Sequence, residues 1–221
     1  MSIRFTRSLI LVLPLLICIQ VSASVQKLTV DSGECDESAV SAELAKSPVF
    51  VDAKRYFRAY GSIESQPSKA DKGHLHCHVI YTLFISTRGK GFSEVKRFAW
   101  DAEPGQITGI DMIGLSPNGA KFAADFWWVE GDGEVHRPVI VDLASRAVVD
   151  RSVEDSIQKR IHSCDQNEDF VGVTNSGEAL FAIPPSTYDD SPECGDKGVW
   201  SFNAATGEVR QVAKHTEDRW R

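Results

Sequence analysis

His74-Leu-His-Cys-His78 sets three imidazoles at alternate positions. On an extended strand alternate residues share a face, so His74, His76 and His78 can offer three nitrogen ligands to zinc or copper. One strand edge seldom completes a tetrahedral site, and Cys77 is a disulfide candidate, so the plainer reading is a solvated strand entrance and no metal is assigned. Glu130-Gly-Asp-Gly-Glu134 places Glu130, Asp132 and Glu134 at alternate positions, half of a calcium loop. Val135-His136 does not continue the oxygen-ligand pattern that such a loop needs. Tyr188, Asp189, Asp190, Glu193 and Asp196 form a second acidic stretch. The chain has no Gly-x-Ser-x-Gly elbow, no His-Glu-x-x-His pair and no phosphate-cradling glycine loop. Carboxylate pairs for glycoside hydrolysis are assembled in space and leave no spacing to read. The expectation is therefore a non-catalytic chain without a cofactor, with a secreted hydrolase as one alternative.

Trp127 and Trp128 are adjacent within the apolar run Phe122 to Val129. On a strand their side chains must point to opposite faces. Either one indole is an exposed anchor for a partner, since an aromatic buries much area at small entropic cost, or both are covered by neighbouring sheets. The candidate partner-binding set is Trp127, Trp128, Glu130, Asp132, Glu134, Tyr188, Asp189, Asp190 and Glu193, one acidic, aromatic-bearing surface shared by two loops.

Arg4 and Arg7, the apolar run Leu9 to Ile19 and the small residues of Val21-Ser22-Ala23 read as a secretory signal cleaved after Ala23. The run is too short for a convincing membrane span. Removing residues 1–23 takes two of the 24 Lys and Arg and none of the 31 Asp and Glu, leaving a formal charge of −9 on 198 residues. Such a surface repels nucleic acid and anionic lipid, and suits a basic protein or a neutral ligand. The expected location is periplasmic or secreted. Cys35, Cys77, Cys164 and Cys194 remain, an even count that implies two disulfides in an exported chain. Three pairings are open. Local loop closure favours Cys35 with Cys77 and Cys164 with Cys194, each adding about 3 to 4 kcal/mol on chain entropy.

These residues must be held by a frame, and the sequence repeats a frame. Phe98 to Ile107, Val139 to Val148 and Val199 to Val209 share an apolar alternation, then Asp101, Asp142 or Asn203, a polar turn and an apolar return. Val49 to Phe57, with Asp52, is a candidate earlier copy. A second phrase recurs as Leu115-Ser-Pro-Asn-Gly-Ala-Lys-Phe-Ala123 and Val173-Thr-Asn-Ser-Gly-Glu-Ala-Leu-Phe181, with Gly119 and Gly177 where a turn wants positive φ. His76 to Ser86 and Phe92 to Trp100 read as a hairpin. Glu37 to Lys46 and Val153 to Ile161 are expected as short helices, and Gly61 to Gly73 as a solvated loop.

This order of strands and turns over 107–149 and 170–212 resembles the blades of TolB-like and WD-type β-propellers. The resemblance implies an all-β, antiparallel, propeller-like single domain over 24–221, partial or small, with about four blade-like units and one or two short helices. Export signal, two disulfides, blade-like units and an acidic face together also resemble periplasmic immunity proteins that inhibit secreted bacterial cell-wall hydrolase toxins. On that resemblance the function is a non-catalytic protein-binding one, with a TolB-like envelope scaffold or ligand-binding module as the other non-catalytic alternative.

Overall fold

The computed structural model describes residues 26–31, 42–44, 49–52, 57–71, 74–87, 90–103, 106–131, 133–153, 168–183 and 198–214. These residues form three antiparallel sheets and contain no helix. The first sheet holds β2 (Ala42–Leu44), β3 (Val49–Asp52), β4 (Phe57–Asp71), β5 (His74–Thr87) and β6 (Ser93–Ala102). The middle sheet holds β1 (Gln26–Asp31), then β7 (Ile107–Leu115), β8 (Lys121–Glu130), β9 (Gly133–Asp142) and β10 (Val148–Asp150) as a meander. The last is the four-strand meander β11 (Asp169–Val173), β12 (Ala179–Ile183), β13 (Gly198–Asn203) and β14 (Glu208–Lys214).

The middle sheet is covered on both faces, and β8 records this in its sequence. Half-buried strands alternate apolar with polar, whereas Phe122 to Trp128 are buried without a break. Phe122, Ala124 and Phe126 join Val79, Tyr81, Leu83 and Ile85 of β5 in one core, with Ile110 and Met112 of β7. Ala123 and Ile140 face the other way, into a core with Phe170, Phe181, Trp200 and Phe202 of the last sheet. Each fully buried Phe, Ile or Leu contributes roughly 1.5–3 kcal/mol relative to exposure. Polar ties close both seams. The Tyr81 hydroxyl donates to Thr108 Oγ1 across the first. Asp150 accepts from Lys96 at 2.6 Å and Arg137 at 2.7 Å along its rim. At the second, Asn118 N–H donates to Asn175 Oδ1 at 2.9 Å, which joins two turns of the same kind.

The repeated turns are alike in detail. Ser116 and Thr174 each accept, through the backbone carbonyl, the N–H of Gly119 (2.7 Å) or Gly177 (3.1 Å). Both glycines have positive φ, 62° and 91°. Asp142 Oδ1 accepts from the N–H of Ala144 and Ser145, and Asn203 Oδ1 from Ala205 and Thr206. Asp101 departs from the expected equivalence. It lies inside β6 and bonds His78, because β6 is followed by a crossover to the middle sheet rather than by a hairpin.

Two further expectations need correction. The helix expected over 37–46 is overturned at Ala42–Leu44, a strand paired with Ser65, Glu64 and Ile63 of β4. Pairing outweighs the helix propensity of Ala, Glu and Leu. The companion helix over 153–161 lies, past Val153, outside the described residues. The loop expected over 61–73 is overturned by β4, which runs to Asp71. Gly61 is not a turn residue there: a Cβ on it would stand 2.8 Å from Ile110 Cδ1 and 2.9 Å from Met112 Cε, so it marks the close approach of two sheets.

Candidate functional site

β8 starts beside the joined turns and runs away from them, so Glu130 stands at the far end of the strand from Asn118 and Asn175. At that end Glu130 is exposed and its Oε2 accepts the Trp128 indole N–H at 3.1 Å. Trp128 stacks on Trp100 with ring centroids 4.6 Å apart, and Phe98 stacks on both and on Phe126. The Trp100 N–H donates to Gln106 Oε1 at 3.0 Å, and Gln106 Nε2 donates to the Val129 carbonyl at 3.0 Å. An aromatic pile with both indole N–H groups satisfied thus holds the end of β8 and fixes the Glu130 carboxylate in place.

Neither indole is an exposed anchor. Trp127 is 3% and Trp128 5% exposed, because both faces of β8 are covered. The partner-facing role expected for them is corrected to a supporting one. Trp127 lies over Gly109, where a Cβ would stand 2.4 Å from its ring carbons. Of the acidic candidates, Glu130 is exposed and Glu134 half-buried. Asp132, Tyr188, Asp189, Asp190 and Glu193 lie outside the described residues.

A second cluster was not anticipated. His136 Nδ1 lies 2.5 Å from Asp125 Oδ2, and Asp125 Oδ1 accepts the Arg137 N–H at 3.0 Å. The His136 carbonyl accepts the Val153 N–H at 2.9 Å, and its ring packs edge-on against Phe181. Burial alone would lower the His136 pKa. The charge and hydrogen bond of Asp125, helped by Glu168 and Glu134, outweigh it and raise the value to about 9. Glu168 begins the approach to the last sheet. It is buried, its Oε1 has no hydrogen-bond partner, and burial pushes its pKa up. The sequence carried a faint signal. In the β8–β9 hairpin, register pairs His136 with Trp127 and Asp125 with Pro138, on one face. Asp125, His136 and Glu168 are all buried, and the cluster lies where the middle sheet meets Phe181 of the last.

At the edge of the first sheet, His78 Nδ1 lies 2.6 Å from Asp101 Oδ1. Among the described residues no group of three or more His, Cys, Asp or Glu is placed to hold a metal ion. Cys77 is buried and its sulfur is disulfide-bonded. Cys35, Cys164 and Cys194 lie outside the described residues, so the pairing stays an expectation. Also among the described residues, no helix is long and apolar enough to cross a membrane. Compared with known proteins, the chain matches no family model, no curated protein and no solved structure.

Proposed function

We propose that this chain is an exported, non-catalytic binding protein whose acidic end docks a basic protein partner, in the manner of periplasmic immunity proteins against secreted cell-wall hydrolases. The observation that carries this reading is the buttressed Glu130. A carboxylate held by an indole N–H, on a strand clamped between two sheets, meets a cation with little ordering cost. The sequence between β12 and β13 adds Asp189, Asp190 and Glu193, and the charge of −9 left after export favours a basic partner. Residues 1–23 are read as the export signal.

The three stacked sheets are read as blade-like units of a small or partial propeller. Matched turns in the middle and last sheets support this, as does the double-sided cover of the middle one. The blade-like layout also favours a second reading, a TolB-like envelope scaffold without a toxin partner.

The test is inhibition. The mature chain is mixed with a basic secreted peptidoglycan hydrolase, and clearance of a peptidoglycan suspension is followed. Stoichiometric inhibition that Glu130→Lys weakens is expected. Undiminished clearance with no complex on size exclusion would reject the immunity reading and leave the scaffold.

A further inference from the structure

Asp142–Ala147 and Asn203–Glu208 are two copies of one turn, and they differ at the position with positive φ. The N–H of Gly207 donates to the Asn203 carbonyl at 2.7 Å, and that of Arg146 to the Asp142 carbonyl at 2.9 Å. Gly207 has φ 78°, conformation that costs a glycine nothing, whereas Arg146 adopts φ 64° against the preference of every L side chain. The turn itself does not need an arginine there. Its side chain reaches the first sheet, where Nη2 lies 3.4 Å from Thr87 Oγ1, while Nη1 is enclosed and has no hydrogen-bond partner. Arg97, Arg137 and Arg210 each rest on a carboxylate, Glu94, Asp150 and Glu178. Arg146 makes no ion pair with any described carboxylate.

A guanidinium fork at a seam, partly desolvated, strained at its backbone and with Nη1 unpaired, is complementary to a planar or tetrahedral oxyanion. We propose that Arg146, with Thr87 and the adjoining Lys90, binds an oxyanion group, a carboxylate, phosphate or sulfate, at the junction of the first and middle sheets. Thr87 and Lys90 are tied together for this. Lys90 N–H donates to the Thr87 carbonyl at 3.1 Å and the Ser86 hydroxyl donates to the Lys90 carbonyl, which keeps the exposed Lys90 beside Thr87. The site lies at the end of the sheets opposite Glu130, so it is separate from the acidic docking end. In a chain of net negative charge, anion binding must come from local donors rather than from the overall field.

The experiment is a melt of the mature chain in 50 mM phosphate, sulfate or acetate, each against chloride at equal ionic strength. An anion at tenfold excess over its Kd raises the melting temperature by about 3–6 °C. Arg146→Gly places the residue of the second copy in the turn, so it is expected to melt no lower than wild type in chloride and to lose the anion response. Arg146→Lys, which lacks the fork, is expected to keep only a fraction of it. A preference for acetate would point to a peptide carboxylate, and a preference for phosphate or sulfate to a tetrahedral group. No oxyanion response in the wild type, or an equal one in Arg146→Gly, would overturn the proposal.

Discussion

Gly109→Ala tests the packing of the middle sheet. The new methyl would stand 2.4 Å from Trp127 Cε2 and Cζ2 and 2.7 Å from Nε1. Ordinary contact begins near 3.4 Å, so the ring must retreat by about 1 Å. Trp127 is 3% exposed on the face that meets the last sheet, and a rigid indole has no far end to swing aside. Overpacking of this kind costs about 1–3 kcal/mol. In a domain of this size that lowers the melting temperature by about 2–12 °C. Gly172→Ala is the matched control, because the nearest atom to its Cβ is Leu180 Cδ1 at 4.0 Å. Removing the chain entropy of a strand glycine there should stabilise by about 0.5–1 kcal/mol. The assay is thermal unfolding of both variants by circular dichroism, with hydrogen exchange across β7 and β8. If Gly109→Ala melts within a degree of wild type, or no lower than Gly172→Ala, the reasoning about this seam is refuted.

Two other outcomes follow from the buried cluster and the turns. His136 is raised from 6.5 to about 9, so its stabilisation is complete below pH 6.5 and lost as pH climbs through 9. Glu168 is raised from 4.5, so its share also fades with rising pH. Asp142, held low chiefly by Lys121, and Asp150 lose their contributions only as pH falls below 3.8, outside that window. Melting temperature should therefore fall from pH 5 to pH 9, and Glu168→Gln should flatten the lower part of the curve; a rise over that range would contradict the assignment. Asn203→Ala should cost about 1–2 kcal/mol in denaturant unfolding by removing two accepted hydrogen bonds, while Asn203→Asp should cost little, since Asp142 performs the same capping. Equal losses for both substitutions would show that the cap is not what matters.

Short-range chemistry was the legible part of this fold. The Ser116 and Thr174 turns and the Asp142 and Asn203 caps are made by side chains bonding backbone two to five residues away, so they survive as sequence phrases. The β5–β6 hairpin was readable from its alternation. Asp101 misled because the same alternation precedes a change of sheet, and alternation carries no information about which sheet comes next. β4 was hidden because Ser62, Glu64 and Gln66 face outward and Gly61 and Ser65 face inward, a composition that reads as loop without the partner strands. At the candidate site, Glu130 was legible as an acidic turn. Its support was not, since Trp128, Trp100 and Gln106 meet only when two sheets stack. Asp125 and His136 are eleven positions apart and become neighbours only through the β8–β9 register.

The most direct test of a preorganised acidic end is the association rate of the mature chain with a basic secreted cell-wall hydrolase, measured by stopped flow at 20 and 200 mM salt. Steering by Glu130 and its neighbours predicts that the rate falls about tenfold or more with salt, and that Glu130→Lys lowers the rate at low salt. Binding that is absent, or that proceeds at one rate across that salt range in both proteins, would contradict it.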